Sequence, residues 1–379
     1  MNVPFLDLGA SYREIQEEVE EAVLRSLRSG WYIGGEDVES FEHDFAAFTE
    51  ARFCVGVANG LEALHLALRA LGIGPGDEVI VPSNTFIATW LAVSQCGAVP
   101  VPVEPNTETF NLNIAQIESA ITSRTKAIIP VHLYGQPADI DGVLEVARQY
   151  GLRVLEDAAQ AQGARYKGRA VGGHGDVVAW SFYPGKNLGA LGDAGAITTN
   201  DEVLADRVRV LRNYGSRKRY INEVRGFNSR LDPVQAAVLR VKLRHLPEWN
   251  VRRSTIAERY SSELAGIGLI LPRVEPFAKP AWHLYCVRHP LRDTLRTHLS
   301  NAGVETLIHY PVPPHLQGAY SELGFPVGAF PVAESMADSL ISLPIGPALS
   351  REQVNYVISA IKDSLSPFHK ESQAVAGLG

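Results

Sequence analysis

Seven short apolar runs punctuate the first two hundred residues, at 53–57, 78–82, 99–103, 127–132, 153–156, 177–182 and 196–199. Most are continuous rather than alternating, the pattern of strands covered by helices on both faces. Between the first two, Leu61, Leu64, Leu68 and Leu71 recur at helical spacing and predict a helix with one apolar face. Gly74-Pro75-Gly76-Asp77 then stops that helix and turns the chain into the next run. Such alternation predicts an α/β fold with a mainly parallel sheet, whose active site lies at the carboxyl ends of the strands.

After Asp232 the pattern changes. Residues 233–246 predict a long helix, Pro247-Glu248-Trp249 a break, and the stretch to Leu264 a further helix. Beyond Gly266 the apolar runs shorten, and prolines cluster at Pro311, Pro313 and Pro314. The expected division is a large domain over 1–245 and a smaller C-terminal α/β domain over 246–379, with 366–379 as a frayed tail.

Composition narrows the choice of partners. A chain of 379 residues exceeds the usual single core, in keeping with two packed domains. A net charge of −7 argues against a surface that wraps nucleic acid and against a polybasic membrane patch, so neither partner is expected. Cys54, Cys96 and Cys286 lie far apart without metal-ligand spacing, and read as reduced core residues with no metal site. The segment Met1 to Asp7 has no basic stretch leading into an apolar one, and no apolar run reaches about 18 residues. A cytoplasmic protein is expected.

The candidate chemistry centres on Ser181-Phe182-Tyr183-Pro184-Gly185-Lys186-Asn187-Leu188-Gly189, where Lys186 follows a buried strand in a glycine-rich turn. Taken alone it is an ordinary loop lysine. Upstream, however, Glu156-Asp157-Ala158-Ala159-Gln160 puts acid at the carboxyl end of a buried strand, which is costly without a cation or strong donors. One cofactor uses both. Pyridoxal phosphate (PLP) needs a lysine amine to hold its aldehyde as a Schiff base, and a carboxylate to keep its pyridine nitrogen protonated. Gln160 can donate to the ring oxygen, or simply be a solvated residue at a helix start. Asn59-Gly60-Leu61 opens a helix whose backbone N–H groups can cradle a phosphate, and Asn59 also suits an ordinary helix cap. Ser181 can add a hydroxyl. Phe86 can stack on the ring, although a lone aromatic there is usually core.

These motifs carry a resemblance. The runs Glu156–Gln160, SFYPGKNLGALGDAG from Ser181, and Gly226-Phe227-Asn228-Ser229-Arg230-Leu231-Asp232 resemble the DegT/StrS sugar aminotransferases of fold type I, over nearly the whole chain. The resemblance implies a seven-stranded, mainly parallel sheet domain plus a smaller domain, in a homodimer with shared active sites. Lys186 resembles the Schiff-base lysine, Asp157 the pyridinium partner, Gln160 the ring-oxygen contact and Phe86 the stacking aromatic. Gly60, Leu61 and Ser181 match the phosphate cradle, and Asn228 matches an asparagine that reaches the phosphate from the neighbouring subunit. Many relatives have Ser-Gly-Thr where this chain has Asn59-Gly60-Leu61, so a hydroxyl contact is lost at Leu61.

Members acting at sugar C4 commonly carry histidine at the position of Tyr183, so this chain resembles the branch that aminates a 3-keto sugar. The implied acceptor is a dTDP-linked 3-keto-6-deoxyhexose with glutamate as donor; a UDP-linked 3-keto sugar and a 4-keto sugar are the alternatives. Tyr183 then positions the sugar or helps proton movement. Arg217-Lys218-Arg219-Tyr220 can reach a diphosphate or be a solvated charge run, which makes Lys218 and Tyr220 candidate substrate contacts. His309, Tyr310 and His315 border the sugar pocket by resemblance, with a buried histidine in a proline-rich turn as the plainer reading. Dehydratases on this fold have histidine in place of the lysine, so Lys186 favours transamination. A non-catalytic sensor that binds cofactor or sugar nucleotide is the rival of another class.

Overall fold

The computed structural model describes residues 1–376, with side chains to residue 366. All seven apolar runs become strands of one sheet: β1 (Phe53–Val57), β2 (Glu78–Pro82), β3 (Val99–Val103), β4 (Thr125–Ile128), β5 (Arg153–Asp157), β6 (Val177–Ser181) and β7 (Gly195–Thr199). Their spatial order is β1-β7-β6-β5-β4-β2-β3. Only β7 runs against its neighbours β1 and β6; the pairs from β6 across to β3 are parallel.

Both faces of the sheet are covered, which explains the unbroken apolar runs. In β6, Val177 and Ala179 join the core shared with Leu64, Leu68 and Trp90, while Val178 and Trp180 pack with Phe41, Phe45 and Leu239. The strand expected over 127–132 ends at Ile128. Pro130 supplies no N–H to the ladder, and pairing survives beyond it only as an isolated bridge between Val131 and Asp157.

One expectation fails outright. Residues Pro233–Glu263 form a single helix straight through Pro247. An interior proline removes one backbone bond and crowds the preceding turn, at a cost of about 3 kcal/mol. Leu243, Leu246, Trp249, Ile256 and Tyr260 are buried on either side of it, and a large apolar side chain contributes about 1.5–3 kcal/mol on burial. Tertiary packing therefore offsets the local defect. The division expected at 245/246 falls inside this helix, whose later turns pack Ile256, Ala257 and Tyr260 into a second core. That core also contains the antiparallel pair β8 (Tyr285–Arg288) and β9 (Leu340–Leu343). The final helix spans Arg351–Ala376; of the tail expected at 366–379, residues 377–379 lie outside those described. Cys54, Cys96 and Cys286 are buried and free. Among the described residues no helix is long and apolar enough to cross a membrane, and no side-chain group suits a metal ion.

Candidate active site

Asp157 ends β5 and is nearly enclosed, at 5% exposure. Its Oδ2 accepts from Thr89 Oγ1 at 2.9 Å and its Oδ1 from the Ala159 N–H at 3.1 Å. No cation pairs with it among the described residues. Burial raises its pKa, an effect that those two donors and the more distant charge of Lys186 reduce without cancelling. The preceding residue behaves oppositely. Glu156 is fully buried, with His132 Nε2 at 3.0 Å and the Gly175 N–H at 2.6 Å, so its partners are complete.

Lys186 follows β6 in a turn whose backbone N–H bonds to the Tyr183 carbonyl at 2.8 Å. Burial holds its amine down to about 8, with the charge of Asp157 pulling the other way. Among the described residues the amine makes no ion pair. A buried carboxylate without a cation and a lysine without an anion thus face one region at the carboxyl ends of β5 and β6.

Gly60 opens the helix Gly60–Ala70, which Asn59 caps by accepting from the Glu62 N–H at 2.9 Å. A Cβ at Gly60 would lie 2.5 Å from Ser181 Cβ, so glycine lets the helix N-terminus and the end of β6 meet. The N–H groups of the helix start at Gly60 and Leu61 and the Ser181 hydroxyl are therefore held close together, donors suited to an anion. Gly60→Ala pushes them apart. The expected result is a loss of stability from overpacking of about 1–3 kcal/mol, read as a lower Tm, and cofactor binding weakened by about tenfold or more. A fluorescence titration checks this, and unchanged affinity would remove the phosphate role.

Gln160 is buried and held from both ends. Its Oε1 accepts from the Tyr134 N–H at 2.5 Å, and its Nε2 donates to the Tyr310 hydroxyl at 3.0 Å, leaving one N–H to offer. Burial pushes the Tyr310 phenol above its ordinary range, so it keeps its proton. Phe86 is half exposed, with its ring 5.3 Å from that of Tyr310. His309 meets Ser342 Oγ at 2.8 Å through Nδ1, and its carbonyl accepts from the Tyr134 hydroxyl. Burial and the charge of Lys186 hold His309 down to about 4. His315 sits differently: it is 2% exposed, with Nε2 at 2.9 Å from Glu334 and its ring against Phe330. Its Nδ1 is buried and has no hydrogen-bond partner among the described residues.

The remaining candidates are on the surface. Tyr183 is exposed beside the lysine turn. Lys218, Tyr220 and Asn228 lie in an exposed loop, and the side chain of Asn228 makes no hydrogen bond among the described residues. Arg217 in that loop is already paired with Asp206 and Glu223. Sequence reasoning missed Thr89, Tyr134, His283 and Ser342. Thr89 follows Phe86 by one helical turn, the only local hint. His283, against Asn187 at 3.3 Å, lies close enough to Lys186 for the lysine's charge, after burial, to depress its pKa.

The chain matches the DegT/DnrJ/EryC1/StrS aminotransferase family over residues 13–362. It belongs to that family. Among relatives of this family member, "Erythromycin biosynthesis sensory transduction protein EryC1" of Saccharopolyspora erythraea is 58% identical, covering 96% of this chain and 99% of the relative. The dTDP-3-amino-3,4,6-trideoxy-alpha-D-glucose transaminase of Streptomyces venezuelae is 56% identical over 95% of this chain and 96% of its own. The crystal structure of S. venezuelae DesV in complex with a ketimine intermediate superposes with a TM-score of 0.95 at 55% identity, covering 96% of this chain and 98% of that one. The family member is an aminotransferase with PLP as its cofactor, which solved relatives hold as PLP or PMP. The site described above fits that group. The carboxylate of Asp157, without a cation among the described residues, suits a protonated pyridine nitrogen, and the helix start that Gly60 lets pack against Ser181 suits a phosphate.

Proposed function

We propose that this aminotransferase moves an amino group from glutamate to a dTDP-linked 3-keto-6-deoxyhexose, giving a dTDP-3-amino-3,6-dideoxyhexose. The observation that carries the reading is the buried Asp157 and the part-buried Lys186, neither in an ion pair among the described residues, at neighbouring strand ends. The sugar is argued from Tyr183, which stands where C4-acting members commonly have histidine, and from relatives named for dTDP-3-amino sugars, of which the Aneurinibacillus thermoaerophilus transaminase is named for a 3,6-dideoxyhexose. A UDP-linked 3-keto sugar or a 4-keto sugar is the alternative acceptor.

When bound, PLP supplies an aldehyde that carries the amino group and a ring that withdraws electrons. Lys186 would hold that group through its amine and, as a free amine, would move the proton at the donor Cα. Asp157 keeps a proton on the ring nitrogen, braced by Thr89 and the Ala159 N–H. Gln160, backed by Tyr134 and Tyr310, offers its remaining N–H to the ring oxygen. Gly60, Leu61 and Ser181 take the phosphate, and Phe86 covers one ring face. Tyr183, His309 and Tyr310 border the sugar, with Lys218 and Tyr220 reaching its diphosphate. His315 supports this wall by bracing the turn against Glu334.

We infer a cytoplasmic homodimer. Support for the dimer comes from the exposed run Trp31-Tyr32-Ile33 and the exposed Tyr214, Tyr220, Ile221 and Val224, large apolar side chains that a partner would cover. In that assembly Asn228 completes the phosphate site of the neighbouring subunit.

The test is a two-step assay. Glutamate should convert the lysine-bound absorbance of the purified holoenzyme, and a dTDP-3-keto-6-deoxyhexose should restore it. Restoration only by a 4-keto or a UDP-linked sugar would overturn the acceptor assignment. No response to glutamate would favour a cofactor-binding sensor.

A further inference from the structure

Ser342 in β9 stands directly across from Cys286 in β8. Leu307 pairs with Ser342 from the other side, which brings His309 to the same place. Ser342 is fully buried; its Oγ lies 2.8 Å from His309 Nδ1 and 3.2 Å from Cys286 Sγ. The hydroxyl has one proton to give, and in this buried place that proton must itself be bonded, so the three side chains have two ordered arrangements. In one, the thiol donates to Ser342 and Ser342 donates to His309 Nδ1. In the other, His309 Nδ1–H donates to Ser342 and Ser342 donates to the sulfur.

The first arrangement is favoured on two grounds. Burial pushes the Cys286 thiol up to about 12, so it stays protonated, and Ser342 Oγ is its one acceptor among the described residues. An imidazole nitrogen is also a better acceptor than a thiol sulfur. With Nδ1 accepting and the ring neutral, the proton of His309 is on Nε2. That atom makes no hydrogen bond among the described residues, and the ring is only part-buried, beside Phe5 and within the field of Lys186.

We propose that Ser342 is a positioning residue that fixes His309 as the Nε2–H tautomer, making it a hydrogen-bond donor to an oxygen of the sugar rather than a base. The assignment of the oxygen rests on the aminotransferase reading above; the tautomer does not. The second-neighbour hydroxyl sets which ring nitrogen carries the proton, as it commonly does for histidine.

The test has two arms. In holoenzyme labelled with 15N-histidine, His309 should show a protonated Nε2 and a bare Nδ1. Ser342→Ala should lose that single state, and Ser342→Thr, which keeps the hydroxyl, should restore it. A protonated Nδ1 in the unaltered protein overturns the proposal. In steady-state assays Ser342→Ala should raise KM for the keto sugar about three- to tenfold, the loss of one neutral hydrogen bond. KM for glutamate and the cofactor absorbance should stay unchanged, which separates the effect from general damage. An unchanged sugar KM overturns the donor role. If the unaltered protein turns over no keto sugar, the functional reading fails while the labelled spectrum still decides the tautomer.

Discussion

Lys186→Ala is expected to lower the rate of amino transfer by about 10⁴-fold, the upper end of what a positioned proton-transfer group contributes. In the proposed function the lysine serves twice, as the amine that holds the cofactor and as the group that moves the proton at the donor Cα. Burial holds it down to about 8, so roughly a tenth of the amine is neutral at pH 7, far more than for an exposed lysine. Cofactor capture by the apo-protein should therefore speed up as pH rises through about 8 and then level off. The alanine variant should fold normally, because among the described residues the amine makes no ion pair. Single-turnover rates with glutamate, alongside the absorbance of lysine-bound cofactor, decide the matter. A variant with more than about a hundredth of the activity would deny Lys186 its place in the chemistry.

Asp157→Asn should split activity from stability. The amide keeps the shape of the side chain and can still bond with Thr89, but it cannot hold a proton on the ring nitrogen by charge. The expected loss in the glutamate half-reaction is roughly 10²–10³-fold, typical for removing one preorganised electrostatic contact. Stability should move the other way. Burial raises the pKa of Asp157, so between its unfolded and folded values the native state binds more protons than the unfolded chain, and stability falls as pH rises through that window. Above it the penalty persists at neutral pH, and the neutral amide removes it. The apo-variant should melt no lower than the parent protein at pH 7. A large drop in Tm would instead mark Asp157 as a structural carboxylate.

What sequence alone made legible was whatever depends on neighbours in the chain. Strands β1, β2 and β3 fall where continuous apolar runs place them, and Lys186 and Asp157 were singled out because each follows such a run. The errors have physical causes. Pro247 was read as a break because the cost of a proline is local, whereas the packing of Leu243, Leu246 and Trp249 that offsets it is tertiary. Thr89 left only its spacing from Phe86, because its partner Asp157 arrives from another strand. The trio Cys286, Ser342 and His309 assembles across three separate segments, each unremarkable in the sequence. His315 looked like its neighbour His309, and only the fold turns one inward against Glu334 while leaving the other beside Lys186.

The adjacent acids that end β5 act as an address written in two letters. Glu156 and Asp157 point to opposite sides of the sheet, one into a completed lock with His132, the other toward the proposed reaction site. Exchanging their order would leave composition, net charge and hydropathy untouched. It would also send the longer acid where a ring must fit and the shorter one where a histidine must be reached. Inserting one residue upstream in the strand would rotate both assignments at once. Position along β5 is thus counted in single residues, and the chain tolerates no slippage there without trading its lock for its reactive centre.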